Sequence, residues 1–218
     1  PGSAARFFDV LAERQGLLAA VRAFVVALGV TVRVEYEQPD APVGSGEGAG
    51  RGAMYLALLS AIAHARESAY LTTAFFVPDR QLLAVLAGAA RRGVDVQLLV
   101  PGFTDHPVVQ AAGRAHYAEL LRAGVRIYEE RGVLLHAKTA VIDGLWSSVG
   151  STNLDPLSFV RNLEVDAVVI DGDFGREMRA VFEADRARAT RITAAAWAAR
   201  PLRARLLERY ARLWKGLF

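Results

Sequence analysis

The sequence predicts an α/β domain, a mixed β-sheet flanked by helices, carrying a C-terminal amphipathic basic helix. Three observations point there. Helix-like and strand-like stretches alternate between residues 53 and 189, glycines stand where two helices should stop, at Gly93 and Gly124, and Asp143-Gly144 separates two short apolar runs as a hairpin turn would. With 53% hydrophobic and 22% charged residues over 218 positions, the chain can bury a sizeable core, which excludes a disordered or fibrous protein.

Taken in order, Pro1-Gly2-Ser3 reads as an expression scar and residues 4–30 as an apolar helical segment or linker. The longest apolar stretch, 17–30, is interrupted by Arg22. It is shorter than the ~20 residues a membrane span needs, so no transmembrane helix is expected. No cleavage-like site follows it, so it does not read as a signal peptide. Val30, Val32, Val34 and Tyr36 alternate with Thr31, Arg33, Glu35 and Glu37, the period of a strand. The glycine-rich stretch 38–52 lacks a dinucleotide-binding spacing and reads as a connector. Then follow a helix over 53–66, a strand over 69–76, a helix over 80–92, a strand over 95–100, a helix over 108–123 and a strand over 125–129. A hairpin of 138–142 and 147–149, a strand over 164–170 and a helix over 174–189 complete a single domain spanning 31–190. Residues 191–218 are assigned to the C-terminal basic helix.

There is no cysteine, which excludes disulfides, thiolate nucleophiles, Cys-ligated zinc and iron–sulfur clusters. Charge is uneven: residues 186–218 hold nine Arg or Lys and one acid, so the tail carries +8 and the body −5 of a net +3. A basic tail on an acidic body suits an anionic partner surface. Of 26 basic residues only Lys138 and Lys215 are lysines, and the only asparagines are Asn153 and Asn162.

The chemistry concentrates in His136-Ala-Lys138, Asp143 and Gly150-Ser151-Thr152-Asn153, which read as H-x-K-x4-D-x6-G-S-x-N. His136 and Lys138, two apart on an expected strand, would leave the same face. An imidazole beside an ammonium is a poor structural pair but a sensible anion site. Asp155-Pro156 is a good N-cap followed by a good first helical residue, so a helix start there would add N–H groups and a favourable dipole for phosphate. Imidazole is also the side chain best suited near neutral pH to attack phosphorus or to protonate a leaving alkoxide.

These residues resemble the HKD motif of the phospholipase D superfamily. Phe75-Phe76-Val77-Pro78-Asp79, the 90–96 stretch Ala-Arg-Arg-Gly-Val-Asp-Val, the 123–128 stretch Ala-Gly-Val-Arg-Ile-Tyr and the 153–158 stretch Asn-Leu-Asp-Pro-Leu-Ser resemble the C-terminal half of bacterial cardiolipin synthases. The resemblance implies a phospholipase D-like α/β sandwich and a phosphatidyl transferase acting through phosphohistidine, without metal or other cofactor. It implies His136 as a catalytic histidine, either the nucleophile that forms the phosphohistidine or its acid/base partner, and the acid/base role usual for the C-terminal histidine of two-motif members is the one assigned. Lys138 and Asn153 would bind phosphate oxygens, and Ser151 would support the phosphate or the histidine. Glu164 would hold the histidine ring, and Asp143 would join the catalytic set in a mainly architectural part. Ala74-Phe75-Phe76 departs from the family's Pro-Tyr-Phe and lacks that hydroxyl.

Only one H-x-K is present, whereas the family's site takes two, so a second HKD domain is expected in cis or by homodimerisation. The resemblance also implies anionic phospholipid (phosphatidylglycerol or cardiolipin) and a bacterial cytoplasmic membrane surface as partners, with the chain bound peripherally. In the tail, Leu202, Leu206, Tyr210, Leu213, Trp214 and Leu217 form an apolar stripe with basic residues mostly off it. Arg203, Arg209 and Trp214 are the candidate membrane contacts, the alternative being a helix packed on the core. Two other functions stay open: a homodimeric phosphodiesterase, whether nuclease or phospholipase D, and a silent lipid- or partner-binding module. No basic stripe interleaved with aromatics is present, which makes nucleic acid the weaker partner. Asp105-His106 and His116-Tyr117 are weaker headgroup candidates.

Overall fold

The computed structural model describes residues 31–36, 53–160, 164–203, 205 and 210. The expected apolar helical segment or linker over 4–30, the connector over 38–52, and both Arg209 and Trp214 fall outside the described residues. Arg203 is described, exposed and helical.

Among the described residues eight strands, numbered in chain order, form one mixed sheet in the order β1-β7-β6-β5-β2-β3-β4-β8. β2 (Ser68–Thr72), β3 (Asp95–Pro101) and β4 (Arg126–Glu130) are parallel neighbours. The crossover from β2 to β3 is α2 (Arg80–Arg91), and that from β3 to β4 is the pair α3 (Pro107–Arg114) and α4 (Tyr117–Ala123). On the other flank β5 (Thr139–Ile142), β6 (Trp146–Gly150), β7 (Val165–Ile170) and β1 (Thr31–Tyr36) pair antiparallel. The short β8 (Thr190–Ile192) adds antiparallel to β4.

The two-residue period of the strands assigns the two faces. Ala69 and Leu71, Val96, Leu98 and Val100, Ile127, and Ala140 and Ile142 face α1 (Ala53–His64), α2 and α4 in the main core. Tyr70, Leu99, Tyr128 and Val141 face Phe182 of α6 (Gly172–Arg188) on the other side. Asp79 caps α2 by accepting from the Leu82 N–H at 2.8 Å and also takes the Tyr55 hydroxyl of α1 at 2.6 Å. The Tyr55 ring lies 4.1 Å from Phe159 of α5 (Pro156–Val160), so three helices meet over one end of the sheet. Gly124 ends α4 in the left-handed region, φ 101°, as the sequence predicts.

Three expectations change. The helix expected over 108–123 is two helices, broken at Ala115 and His116, and inside the first of them Gly113 packs against the Phe76 carbonyl so tightly that a Cβ would stand 1.9 Å from it. The strand expected over 69–76 ends at Thr72; beyond it Thr73 donates through Oγ1 to the Phe75 carbonyl at 2.7 Å, and only the Phe76–Leu154 bridge remains. Past residue 190 the chain first adds β8 and then α7 (Ala194–Ala198), whose Trp197 ring lies 4.8 Å from Tyr117. The segment assigned to the basic tail therefore begins as part of the domain.

Candidate active site

The strand directions gather the motif at one edge. β2 ends there, β5 and β7 begin there and β6 ends there: Thr72 pairs with Thr139, Thr139 with Val149, and Gly150 with Asp166. His136 and Lys138 lie just before β5 rather than on it, and the Lys138 carbonyl still accepts the Gly150 N–H at 3.1 Å. His136 is exposed, while Lys138 is 7% exposed and turns back on its neighbour. Its Nζ lies 3.0 Å from Nδ1 and 3.2 Å from Nε2 of His136 and donates to the His136 carbonyl at 2.7 Å. An ammonium has donors only, so a ring nitrogen accepting from it must be the unprotonated one. Burial holds the Lys138 pKa below the ordinary lysine range, and the carboxylates of Glu164 and Asp155 oppose that shift in part. Glu164, 7% exposed, thus lies within electrostatic reach of Lys138.

Asn153 accepts the Phe75 N–H on Oδ1 at 3.2 Å, and its backbone N–H donates to Ser158 Oγ at 3.2 Å. Asp155 caps α5 by accepting the Ser158 N–H at 2.9 Å, as the Asp-Pro pair predicts. Ser151 ties strand ends: its Oγ accepts the Val165 N–H at 2.9 Å. Asp143 takes an architectural place. It sits at the far end of β5, φ 52°, where its carboxylate takes the N–H groups of Arg66 at 2.9 Å, Glu67 at 2.8 Å and Ser68 at 2.9 Å. Those bonds hold its pKa below the usual carboxylate range, against the desolvation that is the largest single influence. It closes the α1–β2 turn, far from the imidazole.

Sequence reading misses one member of this edge. Asp166, 4% exposed, accepts from the Thr152 hydroxyl and from the Thr152 N–H at 3.4 Å. Its carboxylate lies over Gly150, where a Cβ would come within 1.9 Å of Oδ1. The motif glycine is thus a packing requirement set from the next strand. The available signal was an acid at an inward position of an otherwise apolar strand. Of the weaker candidates, His116 and Tyr117 are buried, at 2% and 3% exposed, whereas His106 lies open with its ring 5.5 Å from that of Phe75.

A His–Lys pair at the edge of a mixed α/β sheet, with Asn153 and a buried glutamate beside it, defines a phospholipase D-like domain. The family described as "Cardiolipin synthase, PLD-like domain" matches residues 58–186, and the chain belongs to it. Cardiolipin synthase A of Yersinia pseudotuberculosis is 36% identical over 222 residues, covering 94% of this chain and 46% of the relative; cardiolipin synthase A of Yersinia pestis matches equally. The chain thus spans about half the length of the curated relatives it matches. Among solved structures, the phospholipase D family member Nuc of Salmonella typhimurium superposes with TM-score 0.61 at 19% identity, covering 75% of this chain and 99% of that one. Phosphatidylserine synthase of Haemophilus influenzae superposes with TM-score 0.64 at 14% identity, covering 86% and 47%. Both share the fold.

Proposed function

We propose that the chain supplies one HKD half-site of a phosphatidyl transferase of the cardiolipin synthase type. The observation that carries this is the buried Lys138 ammonium 3.0 Å from the imidazole of His136 at an open sheet edge. The match to cardiolipin synthases supports the substrate class. A lipid phosphate oxygen would replace the imidazole as the partner of Lys138, and the amide of Asn153 would hold a second oxygen. The imidazole so released would take the acid/base role: in its protonated form it gives a proton to the alkoxide leaving one phospholipid, and the then neutral ring takes the proton of the acceptor hydroxyl. The nucleophile would be the histidine of the second HKD motif, giving a phosphohistidine that the acceptor alcohol resolves. Glu164 would steady the charges of this edge. The products would be cardiolipin and a released alcohol.

The second motif would come from another domain of a longer chain or from a second copy. The length match to Nuc favours neither partner over the other, since that neighbour shares fold alone. The domain would work at the surface of an anionic membrane, where the basic tail is suited to lie; among the described residues no helix is long and apolar enough to cross one. Light scattering with a phosphatidylglycerol-vesicle assay tests the assembly. A dimer that turns over, losing activity in His136→Ala and Lys138→Ala, supports completion by a second copy. An inactive monomer that gains activity with a separate HKD domain supports the two-domain arrangement. Full activity in both variants would overturn the mechanism.

A further inference from the structure

Asp166 has no part in the chemistry proposed above, yet the two residues that would hold the phosphate both depend on the segment it grips. Glu164 and Asp166 stand two residues apart at the start of β7, and both are buried. Their carboxylates go to different places. Glu164 lies within electrostatic reach of Lys138, whereas Asp166 is turned onto the segment 150–152 that leaves β6. The sheet register sets Asp166 opposite Gly150, and its Oδ1 takes the space that a Cβ there would need. The same carboxylate accepts the Thr152 hydroxyl and, at 3.4 Å, the Thr152 N–H. A carboxylate has acceptor sites for both donors at once.

Each end of that short segment meets one phosphate-binding residue. At its start the Gly150 N–H donates to the Lys138 carbonyl at 3.1 Å, which ties the main chain of the buried lysine. At its end Thr152 leads directly into Asn153, whose Oδ1 takes the Phe75 N–H and whose own N–H donates to Ser158 Oγ. Ser151, between them, is fixed to the backbone of β7: its N–H donates to the Val165 carbonyl at 3.0 Å. Thr152, one step further out, is held through the Asp166 side chain instead. Thr152 and Lys138 also line one recess between α1, β5 and β6, so a shift of Thr152 moves a wall beside the ammonium.

We infer that Asp166 is a positioning residue: acting through Thr152, it fixes the separation of Lys138 and Asn153 so that both can hold oxygens of one phosphate. The inference rests on the phosphate-binding reading of Lys138 and Asn153 given above. Asp166 carries no step of the transfer itself.

The test uses three variants of the full chain. Asp166→Asn weakens the acceptor, Thr152→Val keeps the shape and removes the hydroxyl, and Thr152→Ser keeps the hydroxyl. Affinity for inorganic phosphate is read by calorimetry, and amide hydrogen exchange is read by NMR without phosphate. Asp166→Asn and Thr152→Val should each weaken phosphate binding about ten-fold, while Thr152→Ser should stay within about two-fold of the unaltered chain. The double variant Asp166→Asn with Thr152→Val should bind within about two-fold of the weaker single one, because both remove the same contact. Without phosphate, the N–H groups of Gly150 and Asn153 should exchange about ten-fold faster in Thr152→Val, relative to the amides of the central strand β3. A merely structural role would speed β3 equally and leave the phosphate affinity of the folded chain unchanged. The inference is overturned if β3 speeds as much as Gly150 and Asn153, if those two do not speed, or if Asp166→Asn and Thr152→Val both keep the phosphate affinity. Failure of the underlying reading looks different: the unaltered chain then binds no phosphate at Lys138, and the exchange ratio alone decides whether Asp166 sets the spacing.

Discussion

Lys138 is where the fold sets two demands against each other. The ammonium is kept from water, which disfavours its charge, yet the charged form is the one that can hold a phosphate. The lowered pKa fixes the sign of a pH effect. Affinity for inorganic phosphate should be full near neutrality and fall as pH rises, the fall beginning below the ~10.4 of an ordinary lysine. Calorimetric titration of the full chain across that range checks it, and affinity that stays level until ordinary lysines titrate would contradict it. Asp143 makes the opposite case. Its three N–H bonds hold a turn, so Asp143→Ala should cost about 2–4 kcal/mol in denaturant unfolding while leaving phosphate affinity of the folded chain unchanged. Its folded-state pKa is lowered, so this contribution is present above the unfolded value of ~3.9 and is lost as pH falls through the folded one. The sequence held a clue to this separation. Five residues along an extended chain at about 3.3 Å each place Asp143 some 16 Å from Lys138.

Among the elements, the hairpin β5–β6 carries the site at one end and its support at the other. At the site end Gly150 makes room for the Asp166 carboxylate; at the far end Gly175 of α6 packs against the turn, where a Cβ would stand 2.0 Å from the Gly144 carbonyl. Alanine at either position should cost about 1–3 kcal/mol in thermal or denaturant unfolding. Only Gly150→Ala should also weaken phosphate binding, because it displaces the Asp166–Thr152 pair beside Lys138; equal effects of both variants on binding would contradict this. The turn itself was legible, since Asp143-Gly144 is a left-handed pair that closes with the Leu145 N–H on the Ile142 carbonyl at 3.1 Å. The break between α3 and α4 was not, because no glycine or proline marks Ala115 and His116 in the sequence.

Across the whole molecule, the order of strands and helices was readable from periodicity and punctuation, because buried faces and caps are local. What escaped were relations between distant segments: β8 closing on β4, Trp197 on Tyr117, and Asp166 over Gly150. Type and spacing single out His136, Lys138 and Asn153 as candidates, the family resemblance adds Glu164, and the antiparallel pairing of β5, β6 and β7 brings their chain segments to one edge. The most direct test of the central claim compares phosphatidyl transfer on phosphatidylglycerol vesicles by His136→Ala and by the unaltered domain, each assembled with a second HKD motif. The account predicts a loss of at least about 100-fold in turnover with unchanged thermal stability. Turnover within about two-fold of the unaltered protein would contradict it.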